Sequence, residues 1–146
     1  MAKKMKIYLV AAVAVLAVLT LFGTYSEAKV MKFEYFSIDV PKGWQVNEDK
    51  ENSTVAFAAP DNSAVLTVAI IENEGMSIEE YAKGTMKEMK GRDLQKTDDG
   101  YMFRFTTANG VDSIGILTGD GDLVMFMTVI GEHDDLDAMV NSMEQN

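Results

Sequence analysis

Three turn dipeptides constrain this chain more than any other feature: Asp99-Gly100, Asn109-Gly110 and Asp120-Gly121 fall about ten residues apart in its second half. Asp or Asn followed by Gly tolerates the positive φ of tight hairpin turns. The segments around them, residues 94 to 97, 101 to 107, 112 to 118 and 123 to 130, are rich in apolar and β-branched side chains. They read as strands joined by short turns, which makes the arrangement antiparallel. Residues 123 to 130 have no polar face, the pattern of a strand covered on both sides.

The first half repeats the theme with different turn chemistry. Phe36, Ile38 and Val40 alternate with polar neighbours at the period of a half-buried strand over residues 33 to 40. Pro41-Lys42-Gly43 then turns the chain into Trp44 and Val46, Asn52-Ser53 closes that hairpin, and residues 54 to 58 make a third strand. After Pro60-Asp61-Asn62-Ser63, nearly every residue from 64 to 71 is apolar and many are β-branched, so this strand should lie centrally in the sheet.

Two stretches change period. Ile78, Tyr81, Ala82, Met86 and Met89 recur at helical spacing after Ser77, with Glu80 completing a capping box and Gly91 as the stop. Leu136, Met139, Val140 and Met143 form one stripe of a final helix, capped by Asp134 or Asp135. The order four strands, helix, four strands, helix defines an α+β domain: an antiparallel sheet of about 7–8 strands with helices packed on its faces. Two strands without a polar face require a sandwiched sheet, with the helices on opposite faces or part of the sheet folded over.

The start of the chain has a different logic. Lys3, Lys4 and Lys6 precede an uninterrupted apolar run from residue 7 to residue 22, and Ser26 and Ala28 supply the small residues of a cleavage site. Residues 1–28 therefore read as a signal peptide cleaved before Lys29, and residues 29–146 as a single domain in the periplasm or outside the cell. The rival reading, an uncleaved anchor, has 16 residues, slightly short of the roughly 20 that span a bilayer. The chain holds no cysteine, so neither disulfides nor an N-terminal lipidated Cys contribute.

The net charge is −10; without Lys3, Lys4, Lys6 and Glu27 it is −12, ten basic against 22 acidic residues. Such a surface repels nucleic-acid phosphates and anionic lipids, so neither nucleic acid nor a membrane is expected as a partner of the released domain.

The chemically suggestive residues have simpler readings. His133 is the one histidine; with Asp134, Asp135, Ser113 or Ser142 it could be drawn into a triad, but no Gly-x-Ser-x-Gly elbow exists, and a loop or helix-cap role is expected. One His and no Cys do not make a zinc site. Asp120 and Asp122, and separately Asp134 and Asp135 with Glu132 and Asp137, are the candidate oxygen ligands for calcium. The two groups lie roughly 25 Å apart across the intervening strand, at about 3.3 Å per residue, and turn and cap duty accounts for both. Eleven methionines invite copper(I), with Met86 and Met89, Met139 and Met143, and Met125 and Met127 as close pairs; their placement on buried stripes favours core filling. Trp44 and Tyr101, with Tyr35 and Tyr81, could line a ligand groove, although Trp44 is expected to pack over a sheet end.

The stretch Phe36-Ser37-Ile38-Asp39-Val40-Pro41-Lys42-Gly43-Trp44 resembles the N-terminal signature of the PsbP-like superfamily, whose members include DcrB-related bacterial envelope proteins. Pro60-Asp61 before a buried strand, Ser77-Ile78-Glu79-Glu80-Tyr81-Ala82 opening the middle helix, and residues 136 to 142 in the last are further points of similarity. The resemblance implies an α/β/α sandwich and a noncatalytic role in binding protein partners, with no catalytic residues and no cofactor to carry over. The expectation is an exported accessory or binding domain engaging a protein partner in the cell envelope. The alternative is a small-ligand or metal-ion (calcium or copper) binding protein.

Overall fold

The computed structural model describes residues 24, 25, 28–120 and 122–145, the side chains of Thr24, Tyr25 and Asp120 excepted. The expected signal peptide lies, apart from Thr24, Tyr25 and Ala28, outside the described residues. Among the described residues the elements are β1 (Thr24–Tyr25), β2 (Lys29–Lys32), β3 (Phe36–Val40), β4 (Gln45–Asp49), β5 (Thr54–Ala58), β6 (Ala64–Glu72), α1 (Ile78–Glu88), β7 (Arg92–Lys96), β8 (Gly100–Thr106), β9 (Asp112–Asp120), β10 (Leu123–Gly131), α2 (Leu136–Ser142) and β11 (Glu144–Gln145). No described helix is long and apolar enough to cross a membrane.

The main sheet is antiparallel and eight-stranded, in the order β1-β4-β5-β6-β10-β9-β8-β7. Its centre is the pair of apolar strands, β6 and β10, nine residues each and in continuous register from Leu123↔Glu72 to Gly131↔Ala64. Alternate side chains of these strands enter two separate cores. Val65, Val124, Phe126 and Ile130 join Phe103, Phe105 and Leu117 beneath Tyr81 and Ala82 of α1. Leu66, Val68, Met125 and Met127 join Val55 and Phe57 beneath Phe36, Ile38 and Val40 of β3 and Leu136 and Met139 of α2. Burying a Leu, Val or Phe side chain is worth about 1.5–3 kcal/mol, so the central strands are anchored from both sides.

The second cover differs from the simplest form of the expected sheet. Residues 36–40 do not open the main sheet; β3 is the middle strand of a separate three-stranded sheet, β11-β3-β2. Residues 33 to 36 form a turn instead, closed by Phe33 N–H donating to the Phe36 carbonyl at 2.8 Å. Alternation dictates which side chains a strand buries but not which strand lies beside it. The helices do stand on opposite faces, and part of the β-structure is folded over as well, because α2 has seven residues, about 10 Å of helix. A helix that short cannot roof the face by itself.

The helix ends follow their chemistry with one displacement. Glu80 N–H donates to Ser77 Oγ at 3.1 Å at the start of α1. At its end, Gly91 N–H reaches the Met86 carbonyl at 2.7 Å and Lys90 N–H the Lys87 carbonyl at 3.1 Å, a Schellman motif. The left-handed residue of that motif is Lys90, with φ 54°, and not Gly91. Gly91 is required for space: a Cβ there would stand 2.7 Å from Phe103 Cδ2 and 2.9 Å from the Arg104 carbonyl oxygen.

Candidate functional site

Trp44 lies at one end of the main sheet, where the turn after β3 enters β4, and it is fully buried. Its Nε1–H donates to Asp135 Oδ2 at 3.1 Å, and the His133 ring stands edge-on to the indole with centroids 5.2 Å apart. Asp135 N–H donates to His133 Nδ1 at 3.0 Å. That acceptor must be unprotonated, which puts the proton of neutral His133 on Nε2. The ring thus satisfies an amide at the start of α2, where Asp135 is the N-cap and makes no side-chain capping bond. The expected Asp cap is replaced by an imidazole cap, because the Asp135 carboxylate is engaged by Trp44. Nearby, Ser63 hydroxyl and amide donate to Asp61 Oδ1 at 2.6 and 3.0 Å, and these bonds hold the Asp61 carboxyl below its ordinary pKa.

This cluster does not assemble a triad. Ser142 Oγ donates to the Met139 carbonyl and accepts from Asp39 N–H, while Ser113 Oγ donates to the Val111 carbonyl. Both hydroxyls serve the backbone. Asp122 and Asp134 are exposed, at the two ends of β10, and the Asp120 side chain lies outside the described ones. Among the described residues no three of His, Asp and Glu converge as a metal-ligand set.

Two concave surfaces are more informative. The first, about 350 Å³, lies between the turn at residues 32 to 36 and the β4–β5 hairpin. Tyr35, Lys32, Lys50 and Glu48 are among its lining residues. Glu34 raises the pKa of the Tyr35 phenol above its ordinary value, by its charge and by a hydrogen bond. The groove borders β2, the outermost strand of the small sheet, whose Val30 is 58% exposed.

The second groove, about 770 Å³, lies over β8, β9 and β10 on the face that α2 roofs in part. Its origin is a mismatch of widths. Seven full-length strands span about 29 Å at about 4.8 Å per spacing, whereas three strands and a helix span about 20 Å. The cover runs out near β10. Met102, Ile116, Met125 and Met127 form the floor, Val140 and Met143 the wall, and Asp99 and Glu144 lie at the rim. The register sets Met102 opposite Ile116 and Ile116 opposite Met127, so these side chains stand in one cross-strand row.

The grooves redistribute the residues singled out above. Trp44 and Tyr81 are buried and Tyr101 packs against the core under α1, leaving Tyr35 of the four aromatics in a groove. Met139 belongs to one core and Met86 and Met89 pack against the other, whereas Met125 and Met127, members of the core beneath α2, and Met143, packed against it, also line the second groove. Sequence reasoning passed over Met102. Its signal was present: in β8, Tyr101, Phe103 and Phe105 mark the face under α1, so an apolar Met102 on the other face had nothing assigned to cover it.

No family model and no curated protein matches the chain. Solved structures do. The solution structure of a cyanobacterial PsbP, CyanoP from Synechocystis, superposes with a TM-score of 0.53 at 12% identity, covering 88% of this chain and 99% of that one. The fold is PsbP-like. A crystal structure from Bacteroides thetaiotaomicron matches with a TM-score of 0.51 at 19% identity over 76% of this chain, which spans 45% of that protein's length. The PsbP-like α+β architecture, helices on both faces of an antiparallel sheet, is therefore what the two structures share with this chain.

Proposed function

We propose that the chain is an exported, noncatalytic accessory domain, akin to DcrB-related envelope proteins, that engages a protein partner in the cell envelope. The observation that carries this reading is the outer edge of the small sheet. β2 ends that sheet, its Val30 projects into solvent at 58% exposure, and Tyr35, 36% exposed, stands at the adjoining groove. An unpaired strand edge accepts an extended segment by backbone pairing, while neighbouring pockets select its side chains. Lys32 and Lys50 line the groove beside Glu34, Glu48 and Asp49, and Lys29 lies further along β2, so this edge offers charges of both signs to an extended segment.

The test is affinity capture from envelope extract with the exported protein and its Val30→Glu and Tyr35→Ala variants. The expected result is one reproducible partner retained by the parent protein and lost by both variants. Capture of nothing specific, or identical capture by parent and variants, would overturn the proposal.

A further inference from the structure

We infer that the second groove is a soft-metal site, taking copper(I), or silver(I) as its analogue, on the thioethers of Met102, Met125, Met127 and Met143. The inference is independent of the partner reading, which concerns the other side of the small sheet.

Four sulfur-bearing side chains line this one groove, from β8, from β10 and from the residue after α2. Met102 and Met127 lie in one row two strand spacings apart, about 10 Å between backbones. Met125 precedes Met127 by one period of β10, on the same face. The unbranched side chain of methionine turns about three bonds, so Met102 and Met127 can lean toward one another over Ile116, which stands between them in the row. Met143 approaches from the wall, at the C-cap of α2, and completes a set drawn from three directions.

The chemistry of this set selects its ion. Thioether sulfur is a soft donor that favours copper(I), whereas calcium and magnesium demand oxygen and zinc takes thiolate or imidazole. No histidine lines the groove, and its carboxylates, Asp99 and Glu144, lie at the rim. There they lower the potential at the mouth and concentrate cations without themselves forming the ligand set. Ile116 and Val140 complete an apolar surround.

Core packing accounts for only part of this set: Met125 and Met127 belong to the core beneath β3 and α2 and Met143 packs against it, whereas Met102 joins neither core. Met139 is fully buried under α2, and Met86 and Met89 pack beneath α1; these thioethers fill space between layers. Met125 and Met127 are 7% and 6% exposed, and they floor an opening of about 770 Å³. Met102 and Met143 remain partly exposed where the cover stops.

The test is anaerobic titration of the purified protein with copper(I) held by a chromophoric chelator under reducing conditions. The chain has no cysteine, so no thiol confuses the readout. One equivalent should transfer to the parent protein. The Met102→Leu/Met127→Leu double variant, which keeps volume and hydrophobicity, should lose roughly tenfold or more in affinity. Met86→Leu/Met89→Leu and His133→Ala should bind as the parent does. Absence of transfer to the parent, or binding that survives loss of Met102 and Met127, would overturn the assignment. A second measurement needs no variant: in protein labelled at the methionine methyl carbons, silver(I) should shift the signals of Met102, Met125, Met127 and Met143 and leave Met139 in place. Shifts confined to other methionines, or a groove whose methyls respond to an apolar probe and not to silver(I), would equally count against it.

Discussion

Lys90 occupies a position that the backbone reserves for glycine. With φ 54° it is the left-handed residue ending α1, a conformation that costs a side-chain-bearing residue about 1–2 kcal/mol, against about 0.5–1 kcal/mol of extra entropy lost by a glycine. Lys90→Gly should therefore stabilise the protein by about 0.5–1 kcal/mol, raising the melting temperature by a few degrees in calorimetry. Gly91→Ala should do the opposite, since its Cβ would meet Phe103 and Met86 side chains and the Arg104 carbonyl together. A titration checks a second residue. The Asp61 carboxyl is held low by Ser63, so its contribution is present above the ordinary aspartate pKa of about 3.9 and is lost as pH falls through the lower, folded value. Carboxyl NMR should place its midpoint below that of an ordinary Asp, and Ser63→Ala should move it back up.

Among the elements, β6 and β10 carry a polar pair inside the sheet's buried centre. Thr67 and Thr128 face each other in register, are almost fully buried, and share a hydroxyl–hydroxyl bond. Thr67→Val alone should cost about 1–3 kcal/mol, because it strands the Thr128 hydroxyl. Adding Thr128→Val should recover much of that loss, and denaturant midpoints of the four-protein cycle would show the coupling. The strands themselves were legible: runs at residues 64 to 71 and 123 to 130, apolar except for Thr67 and Thr128, marked the two that are covered on both faces, and period changes marked both helices. The partner of β3 was not legible, since Phe36, Ile38 and Val40 would read the same in either sheet. Nor was β2, whose Lys-Val-Met-Lys sequence buries Met31 alone, and that in part, and so shows no alternation of apolar and polar residues.

At the scale of the whole molecule, two layers of unequal width leave one face partly bare, and no single stretch of sequence encodes that difference. Met102, Met125 and Met127 could be seen to be apolar; that they share a floor depends on where the opposite layer ends. The chain's start matters at the same scale. Thr24 and Tyr25 pair with Val46 and Gln45, yet both precede the proposed cleavage point. Intact mass of the native protein should begin at Lys29, which leaves β4 as the edge of the main sheet. A full-length, membrane-retained mass would instead keep residues 7 to 22 as an anchor.

The small sheet joins strands that the chain makes far apart in time. β3 is flanked on one side by β2, its neighbour in sequence, and on the other by β11, with Ser37 opposite Glu144; Asp39 N–H is taken up by Ser142 Oγ at 2.9 Å. A chain threaded outward from its first residue offers β3 long before β11 exists. Contacts of such long sequence separation form slowly, so β3 must wait with one edge open while β4 to β10 of the main sheet emerge. The last segment to arrive is then the one that closes the lid over the Leu66 and Met139 core, and any chaperone that attends this protein would be needed longest at its beginning.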